Sequence, residues 1–149
     1  MVEPIDSFKE HAHTRIWLQL KYRHGWGQLA TYFAGLERGQ LWGTRCEACQ
    51  ALWVPPRRMC RCGASALAWE RLTGKGTVHA LTQAHSRPPG YEGAWRTWVM
   101  VRFEGGSALS LASLQPDSQV GVGQLVHVVA CAQHPQRMPA LYVKPVGQA

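Results

Sequence analysis

Four of the five cysteines lie within one short stretch, RCEACQALWVPPRRMCRCGAS, at residues 45–65. Two residues separate Cys46 from Cys49, so a single tight turn can point both sulfurs at one ion. A second pair, Cys60 and Cys62, follows after ten intervening residues. That interval is long enough for a short hairpin that brings the two pairs face to face. The spacing therefore predicts a tetrahedral metal site with four thiolate ligands.

The second pair is Cys-x-Cys, which constrains its turn more tightly than Cys-x-x-Cys does. Gly63 follows Cys62 directly and can relieve the strain, because glycine adopts backbone conformations closed to other residues. Four cysteine ligands leave no coordination position for water or substrate, so the metal is expected to stabilise the chain. Zinc is the predicted ion, and iron in a rubredoxin-like site is the alternative for the same ligands. A redox dithiol formed by Cys46 and Cys49 alone would leave the other pair idle.

Composition limits the classes of protein to consider. The chain has 149 residues, 46% of them hydrophobic and seven of them tryptophan, which is typical of a globular domain and excludes a disordered chain. No apolar run is long enough for a membrane-spanning helix. The N-terminal stretch lacks the hydrophobic core of a signal peptide, so we expect a cytoplasmic protein whose cysteines stay reduced. The formal charge of +7 falls to about +5 if four thiolates bind one divalent ion.

The pattern of apolar residues and turn signals predicts a mainly β fold with N-terminal helices. Residues 5–38 have helical periodicity, broken at Gly25 and Gly27, and the second helix is expected to end at Gly39. After the cysteine-rich stretch come five short candidate strands separated by turn signals, the number expected of a small Greek-key barrel such as the OB-fold. In WVMVRF, the alternation places Val99, Val101 and Phe103 on one face. The candidate strands are residues 76–85, 97–103, 108–112, 125–131 and 141–144.

These elements divide the sequence into three parts. We predict an N-terminal helical segment at 1–39, a rubredoxin-like zinc ribbon at 40–70 and a five-stranded OB-fold barrel at 71–149. The fifth cysteine, Cys131, follows the apolar run LVHVV and is interpreted as a small buried hydrophobic residue.

The order of several motifs resembles the family known as domain of unknown function thirty-five. The motifs are YFAGLERGQLWGTRCEAC, WVPPRRMCRCG, WERLTGKGTVHALTQAH, WVMVRFEGG, VGVGQLVHVV and PALYVKP. The ribbon followed by G-x-G-T-V is the most specific part, and the resemblance covers about residues 31–145. One departure is the second knuckle, which is usually Cys-x-x-Cys in the family.

The resemblance implies an accessory subunit of acyl-CoA metabolism. Family members commonly associate with thiolase-superfamily enzymes, among them aldolases, or are linked to acyl-CoA hydratases. The catalytic nucleophile then belongs to the partner, and the small subunit supports assembly and helps to form the acyl-CoA site. The expected partners are a thiolase-superfamily enzyme, in a hetero-oligomer, and an acyl-CoA thioester bound at the interface. No membrane partner is expected.

No catalytic set can be assembled from the sequence. The seven histidines lack a carboxylate at a recognisable spacing, and we assign none of them a role. The long connection at 85–98 combines arginines with aromatic residues, types enriched at protein interfaces and at phosphorylated ligands. We therefore name Arg87, Tyr91 and Arg96 as candidate contacts to coenzyme A or to the partner. An ordinary surface loop is the alternative.

Two other classes of function stay open. Zinc ribbons and OB-folds also bind nucleic acids, and the chain is basic. Its aromatic residues, however, concentrate in the N-terminal half and in one loop and do not recur on the second and third barrel strands, which disfavours nucleic-acid binding. A free-standing enzyme is the other class, disfavoured because no catalytic constellation is visible.

Overall fold

A computed structural model describes residues 25–83, 97–130 and 140–147 of the chain. One turn of 3-10 helix, Gly27–Leu29, leads into the helix α1, Ala30–Glu37. Eight strands follow. They are β1 (Leu41–Cys46), β2 (Leu52–Trp53), β3 (Leu67–Leu72), β4 (Lys75–Gln83), β5 (Thr97–Phe103), β6 (Ser110–Leu114), β7 (Leu125–Val129) and β8 (Tyr142–Pro145).

Helix α1 packs its aromatic and aliphatic side chains into the protein. Tyr32, Phe33 and Leu36 are buried, and burial raises the pKa of Tyr32 to about 12. The helix stops before Gly39, whose φ of +68° suits the left-handed turn that closes a helix. A Cβ atom at Gly39 would lie 2.9 Å from the backbone nitrogen of Ala130, so glycine also allows the helix end to approach the chain after β7.

The first three strands form a small antiparallel sheet in the order β2-β1-β3, which we call the ribbon. β1 pairs with β3 along its whole length, from Leu41 opposite Leu72 to Cys46 opposite Leu67. β2 adds only two pairs, on the other side of β1. The ribbon therefore holds the end of β1, where Cys46 lies, between two neighbouring strands.

The other five strands close into a barrel in the order β4-β5-β6-β8-β7, with β7 pairing back to β4. All neighbours are antiparallel except β6 and β8, which are parallel. Val99, Val101 and Phe103 of β5 are almost fully buried inside the barrel, as the alternation predicts, whereas Arg102 is exposed. The register of β4 on β5 shifts between Val78 and Ala80, which marks a β-bulge.

Ribbon, helix and barrel share one hydrophobic core. Tyr32 and Leu36 of α1, Leu41 of the ribbon and barrel residues such as Val78 and Val143 belong to the same buried cluster. Hydrogen bonds add to this contact, because Ser107, in the turn after β5, exchanges two bonds of 2.9 Å with the backbone of Leu52 in β2. The ribbon is therefore packed against the barrel through a common interior.

Two glycines explain the G-x-G-T-V motif where the ribbon leads into the barrel. Gly74 has a φ of +77°, which favours glycine. At Gly76, a Cβ atom would come within 2.6 Å of a methyl group of Val101 and 2.8 Å of the carbonyl oxygen of Arg102. The first glycine makes the turn and the second allows β4 to lie close to β5.

The structure confirms the predicted fold class, a mainly β chain with a cysteine-rich ribbon and a five-stranded closed barrel. The predicted strand 97–103 has the bounds observed for β5, and the predicted strands 108–112 and 141–144 are shifted by one or two residues. The predicted strands 76–85 and 125–131 coincide with β4 and β7 to within two residues where the structure describes them, and their last positions, 84–85 and 131, lie outside the described residues. The predicted helix before Gly25 lies outside the described residues, as does Cys131. In the described ranges, no helix has the length and apolar character needed to cross a membrane.

Candidate metal centre

Two tight turns present the four clustered cysteines. In the first, the Cys46 amide donates to the carbonyl oxygen of Ala51, and the Gln50 amide donates back to that of Cys46, both at 2.9 Å. Gln50 takes a positive φ of 59° to complete the turn. Cys46 is fully buried at the end of β1, while Cys49 is exposed.

The second turn accommodates the short Cys-x-Cys spacing. The Cys60 amide donates to the carbonyl oxygen of Ala64 at 2.9 Å, and the Gly63 amide donates to that of Cys60 at 3.0 Å. Gly63 has a φ of +89°, and no atom of the described part of the chain lies within 4 Å of its missing Cβ, so glycine supplies the conformation that the tight turn requires. Cys60 is buried and Cys62 is exposed, the same arrangement as in the first pair.

The two turns bring all four sulfurs together. The Sγ atoms lie within 4.8 Å of one another, with Cys46 and Cys62 3.6 Å apart and Cys49 and Cys60 3.4 Å apart. A tetrahedral ion with metal–sulfur bonds of about 2.3 Å requires sulfur–sulfur distances of about 3.8 Å. The separations therefore fit a four-thiolate metal site. In the described part of the chain, this is the one group of histidine, cysteine or acidic side chains arranged to hold an ion.

Neighbouring groups favour a thiolate at Cys60. A hydrogen bond from the Cys62 backbone and one from the Trp53 indole lower the pKa of the Cys60 thiol. The Trp53 Nε1–H donates to the Cys60 sulfur at 3.3 Å in a buried position. At Cys49, the backbone of Ala51 acts in the same direction, but the nearby thiols outweigh it and raise the pKa. Four thiolates at these distances need a cation to be ionised together.

Trp53 is a supporting residue that sequence reasoning missed. It is 5% exposed and packs in a small cluster with Cys46 and Cys60. The guanidinium of Arg57 lies 4.2 Å from the centre of the Trp53 ring, and the Arg57 amide donates to the hydroxyl of Thr44 at 3.0 Å. The only sequence signal was a tryptophan between the two cysteine pairs, which does not reveal a bond to sulfur.

A charge pair braces the strands that lead to the first turn. Arg45 in β1 makes two hydrogen bonds to the carboxylate of Glu70 in β3, and its remaining nitrogen donates to the carbonyl oxygen of Gln50 at 2.8 Å. The hydrogen bonds from Arg45 lower the pKa of Glu70. Both side chains are about one-third exposed. The pair thus links β1, β3 and the turn between the first two cysteines.

The other candidate site residues, Arg87, Tyr91 and Arg96, lie outside the described residues, and their role stays a prediction. Of the histidines, His79 is exposed beside the bulge in β4 and His127 is half-buried on the outside of β7. Neither belongs to a cluster of possible metal ligands in the described ranges.

Comparisons with known proteins match both halves of this architecture. Residues 33–68 match the family described as ChsH2, rubredoxin-like zinc ribbon domain. The solved structure of the Ltp2-ChsH2(DUF35) aldolase is similar at 22% identity and a TM-score of 0.62, covering 78% of this chain and 93% of that one. A DUF35 family protein of unknown function from Sulfolobus solfataricus is similar at 22% identity and a TM-score of 0.56, covering 77% and 80%. No curated protein matches the sequence.

Proposed function

We propose that this chain, a DUF35-type protein with a ChsH2-type zinc ribbon domain, is a non-catalytic accessory subunit of an acyl-CoA-processing complex. Its partner is a thiolase-superfamily enzyme, and the chain helps to assemble that enzyme or to shape its acyl-CoA site. One observation carries the proposal: the ribbon and the barrel pack on one core. This arrangement is similar to a chain of the structure described as the Ltp2-ChsH2(DUF35) aldolase, and the match covers 93% of that chain.

The chemistry of the described side chains supports a role without catalysis. A thiolase requires a cysteine nucleophile with acid and base partners. The four clustered cysteines lie together with sulfur separations that fit a metal ion, so we assign them to a metal site and not to catalysis. We propose that Cys46, Cys49, Cys60 and Cys62 bind one zinc ion, which stabilises the ribbon. A sphere filled by four sulfurs holds no water or substrate.

A nucleic-acid-binding role is the alternative, and the outer surface of the second and third barrel strands argues against it. OB-folds bind oligonucleotides across their second and third strands, which are β5 and β6 here. On the outside of these strands, Met100 lies opposite Leu111, and the latter is 54% exposed. Arg102 is the one cation on the described residues of these two strands. This surface lacks the positive groove that single-stranded nucleic acid requires.

Affinity purification of the tagged protein from its native host tests the proposal. The lysate is treated with nuclease, and co-purifying proteins are identified and quantified by mass spectrometry. We expect a thiolase-like enzyme in an amount close to that of the tagged chain. Recovery of an acyl-CoA hydratase in a similar amount would support the accessory role but change the class of partner. Nucleic acid or ribonucleoprotein components in an untreated lysate, lost after nuclease, would overturn the proposal.

The contact of Arg87, Tyr91 and Arg96 with coenzyme A or with the partner is part of this proposal. The Arg87→Ala, Arg96→Ala double variant is expected to assemble less well or to reduce turnover by the complex, because cationic side chains bind phosphates and partner carboxylates. A double variant that assembles normally and supports normal turnover would show that Arg87 and Arg96 do not make this contact.

A further inference from the structure

Two lysines and the histidine between them form a row across the outside of the barrel. In β4, Lys75 is opposite His127 in β7, and His127 is opposite Lys144 in β8. The residues next to them, among them Val126 and Val143, are fully buried in the barrel, so Lys75, His127 and Lys144 project outward on the same face. Side chains directly opposite on neighbouring strands lie about 5 Å apart at their Cβ atoms.

Lys75 and Lys144 lie on the two sides of His127, so both positive charges are held near its imidazole. Burial lowers the pKa of His127, and the charges of Lys144 and Lys75 lower it further. On the next strand, Arg102 is opposite Thr77, two residues along β4 from Lys75, and extends the positive charge to a fourth strand.

The nearby acids of the described residues make their contacts elsewhere and not with the row. Glu104, directly after β5, accepts a hydrogen bond of 2.7 Å from the hydroxyl of Thr73. The carboxylate of Glu70 is bonded to Arg45. No ion pair joins an acidic group to the row in the part of the chain that the structure describes. The row can therefore bind an anionic group from another molecule.

Apolar side chains lie beside the row. Leu125, two residues before His127 in β7, is 56% exposed, and Val146, two residues after Lys144, is 48% exposed. The Val146 amide donates to the carbonyl oxygen of Leu125 at 2.9 Å, which keeps the two residues adjacent. Exposed apolar side chains that adjoin one another within a polar rim are a feature of surfaces that bind other proteins.

We propose that this surface, formed by Lys75, Leu125, His127, Lys144 and Val146 and called the cationic face, docks the enzyme partner. The proposal rests on the accessory-subunit function proposed above. The matching surface of the partner is apolar and carries at least one aspartate or glutamate that lies against the row. Complementary charge of this kind fixes the orientation of two proteins and speeds their association.

A second copy of this chain is a poorer occupant of the cationic face. The chain carries a formal net charge of +7, so two copies of it repel one another. A small phosphate would use the cations but leave Leu125 and Val146 exposed to water. An acidic protein surface covers both kinds of side chain.

Photo-crosslinking in the purified complex tests the docking surface. Benzoylphenylalanine is placed at Leu125 and, as a matched control, at Leu111, which is 54% exposed on the outside of β6. We expect the probe at position 125 to react with a partner peptide that contains an acidic residue. Crosslinks from position 111 only would overturn the proposal, as would crosslinks from 125 only to nucleic acid, to a second copy or to residues 1–24 of the same chain.

Charge reversal supplies an independent measurement. The Lys75→Glu, Lys144→Glu variant is expected to weaken partner binding by about tenfold or more, and an Asp→Lys or Glu→Lys change at the crosslinked partner residue should restore it. Arg58→Glu, at an exposed position on the ribbon, should leave binding unchanged. Equal weakening by Arg58→Glu, or full binding by the double variant, would overturn the docking surface and leave the accessory function standing. If the wild-type chain recovers no enzyme, both proposals fall.

Discussion

The hydroxyl of Ser110 in the barrel donates a buried hydrogen bond of 2.6 Å to the backbone carbonyl oxygen of Val54 in the ribbon. Fifty-six positions separate the two residues in the sequence. Together with the bonds between Ser107 and Leu52, this contact joins β2 and the residue after it to the β5–β6 turn and the start of β6. The two halves of the molecule are therefore held together by polar contacts as well as by a shared apolar core.

Removing this bond should destabilise the protein. In Ser110→Ala, the carbonyl oxygen of Val54 loses its partner in a buried site, and we expect a loss of about 1–3 kcal/mol in the free energy of unfolding. Ser113→Ala is the matched control, because its hydroxyl is also buried in β6 but has no hydrogen-bond partner among the described residues. That variant should be neutral or slightly more stable. Urea unfolding of both measures the difference, and equal losses would contradict the role of Ser110.

The metal centre predicts a sharp loss of metal on a single substitution. Cys46→Ser removes a fully buried sulfur from the four-cysteine group, so zinc content should fall from about one ion per chain to near zero, with a lower melting temperature. Met59→Ala changes an exposed residue next to Cys60 and should retain the metal. Elemental analysis gives the metal content. A Cys46→Ser protein with a full complement of zinc would contradict the site. A coloured wild-type protein would show that the bound ion is ferric iron and not zinc.

The close contact between β4 and β5 predicts that Gly76 cannot be enlarged. In Gly76→Ala, the added methyl group meets the side chain of Val101 and the backbone of Arg102, and we expect a loss of about 1–3 kcal/mol. At Gly25, no atom of the described residues lies within 4 Å of the added Cβ, so Gly25→Ala should cost nothing measurable. Thermal unfolding of the two variants makes the comparison. Wild-type stability in Gly76→Ala would contradict this close contact, because it would show that β4 and β5 can shift apart without cost.

The pair between Arg45 and Glu70 predicts a dependence of stability on pH. Arg45 lowers the pKa of Glu70 in the folded chain. The ion pair therefore contributes to the free energy of unfolding above the unfolded pKa of glutamate, about 4.3, and this contribution is lost as the pH falls through the folded pKa. The contribution is small, about 0.2–1 kcal/mol, since both groups are partly exposed. The difference in unfolding free energy between wild type and Glu70→Gln should therefore shrink from pH 7 to pH 3. Metal loss in acid affects both proteins alike, and a difference that grows in acid would contradict the pair.

The sequence predicted the elements whose signals are local. The spacing of Cys46, Cys49, Cys60 and Cys62 was enough to predict that their sulfurs meet, and the alternation in β5 predicted which side chains are buried. Their signals lie within a few residues of each other, where the period of a strand or the length of a turn leaves few alternatives.

Contacts between distant parts of the sequence could not be predicted in this way. Nothing near Ser110 indicates that its partner is the carbonyl oxygen of Val54, because that pairing depends on how ribbon and barrel pack. The alignment of Lys75, His127 and Lys144 likewise depends on the register of β4, β7 and β8, and β4 lies far from the other two strands in the sequence. The hydrogen bond from Trp53 to Cys60 needs the fold of both turns.

Acyl-CoA turnover by the separated and recombined components is the most direct test of the proposed accessory role, in which the chain assists an enzyme and performs no reaction alone. The purified chain, the co-purified enzyme without the chain and the two recombined are assayed with the same acyl-CoA substrate. We predict no turnover by the chain, low turnover or aggregation of the enzyme without it, and recovery when both are present. Turnover by the chain alone, or full activity of the enzyme without it, would contradict the account.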